Sequence, residues 1–157
     1  MVLTAKDVFE KVKAAALAST NQDERALQID YQALEGRVGA ALGNRKISLL
    51  HINRYLPEGY EDQGHFNAVA VTEGNVLFDL VIGDQYFRFD IFSAKDLDKI
   101  QSIDGIYKDE EKREEVQFLS LRLMHGDEAH ILLALDDEQR KNVLAVTDAV
   151  ALARHPE

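Results

Sequence analysis

No cysteine occurs anywhere in the chain, so there is no disulfide framework, no thiolate nucleophile and no zinc–thiolate site. Long apolar runs are missing too. Nothing approaches the roughly 18 consecutive apolar residues that a membrane-crossing helix needs. The opening Met1-Val-Leu-Thr-Ala-Lys-Asp7 lacks the apolar core and cleavage site of a secretory leader, and the cytoplasm is the expected compartment. Basic residues are scarce: 18 Lys and Arg against 28 Asp and Glu leave a net charge of −10. Residues 1–44 hold 5 basic against 6 acidic side chains and residues 45–157 hold 13 against 22, so the second stretch carries −9 of the total. That field repels phosphate backbones and anionic lipid, and neither nucleic acid nor a membrane surface is an expected partner. Catalytic signatures are absent as well: there is no Gly-x-Ser-x-Gly, no Walker loop, no Gly-x-Gly-x-x-Gly after a strand and no His-Glu-x-x-His. No cofactor is expected.

What is present is a globular composition, 46% hydrophobic, sufficient for one domain with an appendage. The stretch from Val116 to Ala153 organises it. In Val116–Met124, Leu119, Leu121 and Leu123 share one face at the two-residue strand period. His125-Gly-Asp-Glu128 has turn chemistry, and Ala129, Ile131, Leu133 and Leu135 alternate in the next run, which predicts a hairpin covered on one side. A helix follows abruptly, with Asp136 as N-cap and Gln139 three residues on as in a capping box. Val143, Val146 and Val150 make its core stripe, while Leu144 and Leu152 extend the apolar surface around the circumference. A helix apolar on more than one side is covered on more than one side, by its own chain or by a second subunit, which makes Val143, Leu144 and Leu152 the candidate interface.

Upstream, Thr4 with Asp7 predicts a helix to about Ala18, and Asn21 with Glu24 predicts a second that runs to Gly43. Gly36, Gly39, Ala40 and Gly43 leave a smooth surface, and some of these glycines are expected to be packing contacts. Residues 1–44 thus read as a helical appendage to a strand-rich domain, 45–157. Its first strands are Ile47–Tyr55, Phe66–Thr72, Val76–Ile82 and Gln85–Phe92. Gly83-Asp84 is expected to be a type II′ connection with positive φ at Gly83. A shorter strand, Ile100–Tyr107, is interrupted by Asp104-Gly105, and the charged stretch 108–115 reads as a solvated loop or helical turn.

Seven antiparallel-looking strands followed by a capped helix form an α+β chain that resembles the pleckstrin-homology-like superfold over about residues 45–154. The resemblance rests on order and spacing rather than on a diagnostic motif. It implies a seven-stranded antiparallel barrel of four plus three strands closed by the C-terminal helix. Members that bind phosphoinositides use a basic first hairpin. The matching segment 54–64 offers Arg54 alone and carries Glu58, Glu61 and Asp62, so the lipid function is not carried over. What the resemblance leaves is docking of proteins or peptides, including β-addition along an exposed strand.

Two function classes follow. The first is a non-catalytic binding or assembly module whose partner is a protein or peptide, including a second copy of the chain as a homo-oligomer. The second is a small metal-dependent hydrolase in which His51 and His65, with Glu58, Glu61 and Asp62 between them, meet across a hairpin and supply imidazole and carboxylate ligands. That spacing matches no known metal motif, and a strand histidine beside a solvated acidic loop is the simpler explanation. His125 and His130 flank a turn and are expected to face solvent; His155 lies in the tail. Tyr86, Phe87, Phe89 and Phe92 are expected to be core, because Arg88 is the one basic residue among them and Asp84 and Asp90 lie beside them, unlike a nucleic-acid stacking platform.

Overall fold

The computed structural model describes residues 2–19, 29–53, 66–83, 86–109 and 113–154. The chain is α+β: among the described residues there are three α-helices and two antiparallel sheets of four and three strands, and the last element is a helix. It divides into two compact units, Met1–Phe92 and Ser93–Glu157. The seven strands are shared between two sheets and do not form a single closed barrel.

In the first unit, Leu3 bridges Ile47 before helix α1 (Ala5–Ser19) begins. The capping box at its start is complete. The Thr4 N–H donates to Asp7 Oδ2 at 2.8 Å, and the Asp7 N–H donates to Thr4 Oγ1 at 3.2 Å. Helix α2 (Tyr31–Leu42) starts later than Asn21 suggests. Ile29 and Asp30 are not helical, and the Asp30 carboxylate accepts from the Ala33 N–H at 3.0 Å as the N-cap. This start is hidden because the third helical position is Ala33 and not the Glu or Gln of a capping box; Asn21 and Glu24 lie outside the described residues. Gly43, at φ 55°, ends the helix with its N–H on the Gly39 carbonyl, a conformation glycine adopts without a Cβ penalty.

Strands β1 (Ile47–Ile52), β2 (Phe66–Thr72), β3 (Val76–Ile82) and β4 (Phe87–Ser93) lie in that order in the first sheet. One face, carrying Ala68, Ala70, Phe78, Leu80 and Ile82, packs on Val8 and Val12 of α1 and Leu34 and Val38 of α2. The helical pair therefore shares the core of the first sheet. Phe87 and Phe89 of β4 join that core, with the Phe78 and Phe89 rings 5.3 Å apart. Gly36 and Gly39 are exposed, and among the described residues nothing beyond their own helix lies within 4 Å of where their Cβ atoms would be, so no packing contact is seen at either. At the β3–β4 connection Gly83 does not take the expected positive φ, and Asp84 lies outside the described residues. Gly83 donates its N–H to the Tyr86 carbonyl at 2.9 Å; glycine is favoured there because a Cβ would fall 2.2 Å from the Tyr86 ring.

In the second unit, β5 (Lys99–Asp109), β6 (Glu114–His125) and β7 (Glu128–Ala134) form a meander, followed by α3 (Asp137–Arg154). Strand β5 is continuous through Asp104-Gly105 and reaches Asp109, while β6 begins at Glu114, so both ends of the charged stretch 108–115 are strand; Arg113 is in a turn and residues 110–112 lie outside the described residues. Gly105 does not break β5, because it lies opposite Phe118 in the ladder and the Phe118 ring occupies the place of its missing side chain. The β6–β7 turn uses Gly126 at φ 61°, the conformation expected upstream at Gly83. The hairpin is not covered on one side only. Leu119, Leu121 and Leu123 pair with Ala134, Leu132 and His130, not with the odd-numbered residues, and both faces of β7 are buried from His130 to Ala134. At α3, the Gln139 N–H donates to Asp136 Oδ1 at 2.8 Å, and Gln139 Oε1 reaches back one residue further than in a standard box, to the Leu135 N–H at 3.0 Å. Arg140 binds Asp104 of β5 and Arg154 binds the Leu97 carbonyl two residues ahead of β5, which ties both ends of the helix to its own unit.

Candidate functional site

Two features stand out, one in each unit. The first is a row of buried polar side chains on the face of β1–β3 turned away from the helices. His51 and Asn53 are two residues apart at the end of β1, and so share a face. The Asn53 N–H donates to the Asn67 carbonyl, which brings those two residues opposite one another, and Asn67 lies diagonal to Asp79 because Val69 pairs with Asp79 and Asn67 with Val81. The side chains close the row. His51 Nε2 and Asn53 Oδ1 are 2.9 Å apart, Asn53 Nδ2 donates to Asn67 Oδ1, and Asn67 Nδ2 donates to Asp79 Oδ1 at 3.2 Å. All four residues are at most 1% exposed, so hydrogen bonding must replace the water each has lost. Burial this deep suits a row that orients strands better than one that meets a dissolved substrate.

Of the candidate metal ligands, the structure thus places His51 inside, bonded to Asn53. His65, Glu58, Glu61 and Asp62 lie outside the described residues, as does His155. His130 is not solvent-facing but 2% exposed, with Nε2 4.0 Å from the Glu128 carboxylate; its even-numbered position on β7 turns it to the buried leucine face. His125 is half-buried. Among the candidate interface residues, Val143 is fully buried in its own chain, whereas Leu144 and Leu152 are 44% and 69% exposed. Asn53, Asn67 and Asp79 escape pattern reading, although one signal was present: Asp79 sits in Val76-Leu-Phe-Asp-Leu-Val-Ile82, where an acid has apolar neighbours on both sides.

The second feature is the outer strand of the three-stranded sheet. Strand β5 is eleven residues long and, among the described residues, pairs with β6 alone. Gln101, Ser102, Asp104, Ile106 and Lys108 are exposed, Ile106 at 61%. Beside it, Asp104, Gly105, Ile106, Gln117, Phe118 and Arg140 line an open cavity of about 380 Å³. Arg140 reaches it from the first turns of α3 and holds Asp104 at 2.8 Å, so one wall carries a fixed ion pair and the other an isoleucine. Main-chain groups along a strand edge beside a partly apolar depression can take an extended backbone and seat one of its side chains.

No helix among the described residues is long and apolar enough to cross a membrane. Compared with protein-family models, with curated proteins and with solved structures, the chain shows no significant match to any of them.

Proposed function

We propose that the chain is a non-catalytic binding module that takes an extended polypeptide segment along the outer edge of β5. The observation that carries this reading is the exposed eleven-residue edge strand beside the cavity between its own side chains and Arg140. A strand this long with solvent on its side chains offers main-chain hydrogen bonds for affinity and the cavity for selection among side chains. The order of four strands, three strands and a terminal helix supports a pleckstrin-homology-like arrangement for the two sheets, the superfold in which protein and peptide docking is common.

A displayed library of random extended peptides, selected on the full chain, tests the reading. Selected peptides should slow amide exchange in β5, and Ile106→Lys should abolish their binding without changing the circular dichroism spectrum. Peptides that bind but protect other segments, or a monomeric chain on which the library yields no binder, would refute it.

A further inference from the structure

We infer that the segment taken by β5 is β5 of a second copy of this chain, paired antiparallel about a two-fold axis through Ile106. The inference rests on the edge-binding reading and names its partner.

The strand is self-complementary in this register. Residues directly opposite each other across an antiparallel pair share a face, so centring the axis on Ile106 sets Ile106 against its own copy. It sets Asp104 of each chain against Lys108 of the other, on the same face, and the overlap runs from Ile103 to Asp109. Registers shifted by two residues, which keep the same faces together, are worse. Centring on Asp104 opposes carboxylate to carboxylate, and centring on Lys108 opposes ammonium to ammonium. The Ile106 register covers a 61% exposed isoleucine and creates two identical ion pairs, as a two-fold interface requires. The other charges on that face fit. Arg140 holds Asp104 in place, and Glu115 lies opposite Lys108 in the β5–β6 ladder, so each ammonium would lie between two carboxylates. Edge strands that must stay single carry charges that repel a copy; here the charges alternate so that a copy is attracted.

The full chain should therefore run as a dimer in size-exclusion chromatography with light scattering, over a concentration series. Asp104→Lys and Lys108→Asp each convert both ion pairs to repulsions, and each should weaken the dimer by about tenfold or more. An equimolar mixture of the two variants restores both pairs, so a heterodimer should form at concentrations where neither variant self-associates. That mixing result separates loss of the contact from damage to the fold, since a damaged chain is not repaired by another damaged chain. Two outcomes would overturn the inference: a wild-type chain that stays monomeric throughout, or a dimer indifferent to both reversals. A monomer that still captures library peptides on β5 removes the self-pairing alone. A monomer that captures none removes the edge-binding reading with it.

Discussion

Replacing Asn67 by alanine is the sharpest test of the buried polar row. Asn67 is fully buried and stands in the middle, accepting from Asn53 and donating to Asp79. Truncation leaves an amide N–H₂ on one side and a carboxylate on the other without that partner, in a place water does not reach. Each orphaned group costs about 1–3 kcal/mol, so the expected loss is about 2–6 kcal/mol. A domain with a stability of about 5–15 kcal/mol feels that strongly. With a urea dependence of about 2 kcal/mol per molar, the midpoint should fall by about 1–3 M. Because the chain has two compact units, amide exchange in β2 is the better readout, since it reports the first unit directly. The decisive measurement is a double-mutant cycle with Asn53→Ala. If the two side chains act as one network, their effects overlap and the coupling exceeds about 1 kcal/mol. Additive effects, or a single-variant loss below about 1 kcal/mol, would show that the row contributes no more than its volume.

Other substitutions probe the second unit and the helix start. Gly105→Ala brings a Cβ within 2.6 Å of the Phe118 ring, and urea unfolding should show a loss of about 1–3 kcal/mol that Phe118→Leu partly restores. Gly126→Ala forces a non-glycine residue to φ 61° in the two-residue β6–β7 loop and should cost about 1 kcal/mol in the same assay. Asp7 has its carboxyl held below the ordinary range, first by the Thr4 backbone N–H and then by the Thr4 hydroxyl, with Lys11 and Lys6 adding to the effect. A depressed folded value means that the box contributes above the unfolded carboxyl pKa and loses its effect as pH falls through the folded one. Nuclear magnetic resonance should therefore show the start of α1 fraying on acidification, and Thr4→Ala should move the Asp7 midpoint upward.

Local chemistry made most of the secondary structure legible. Thr4 with Asp7 and Asp136 with Gln139 mark helix starts because each carries both halves of a capping box, and the structure shows both. Asp30 carries only one half, and the start of α2 was not found. Alternation located the strands but not their coverage. In Ala129–Leu135 the odd-numbered residues look like the buried set, yet Leu132 and Ala134 are buried as deeply and His130 with them, because both faces of β7 are covered. Glycine misled twice, for one reason. A sequence shows that a residue lacks a side chain but not which neighbour uses the space: Gly105 seemed to end a strand that the Phe118 ring keeps intact, and Gly83 seemed to need a positive φ when it needs room beside Tyr86. Edge position is likewise a property of topology, so the exposed side of β5 became visible only once its neighbours were known.

The buried row and double-sided burial are connected through register. In a sheet with one wet face, a slip of one residue moves polar side chains inward and is rejected on that ground. Strands β2 and β3 lack that safeguard. Ala68 and Ala70 lie on the helix-covered face, Val69 and Val71 on the other, and all four are buried; Leu80 and Val81 of β3 repeat the pattern. A slip would exchange one apolar face for another at small cost if the strands were apolar throughout. Asn67 and Asp79 change that. Slipping β3 by one residue relative to its helix-covered face drives the Asp79 carboxylate among Val8, Val12, Leu34 and Val38, where none of these side chains can donate a hydrogen bond. Slipping it by two keeps the faces but carries Asp79 away from the Asn67 amide. Either error costs Asp79 its bond to the Asn67 amide in the sheet interior, and a buried hydrogen bond lost in this way costs about 1–3 kcal/mol. The same reasoning predicts that replacing His51, Asn53, Asn67 and Asp79 together by apolar residues of similar volume is far less destabilising than removing Asn67 alone, while the β1–β3 register loses definition. Amide exchange and cross-strand contacts measured on that fourfold variant would settle the matter, and a variant with one sharp, wild-type register would show that side-chain shape alone is enough.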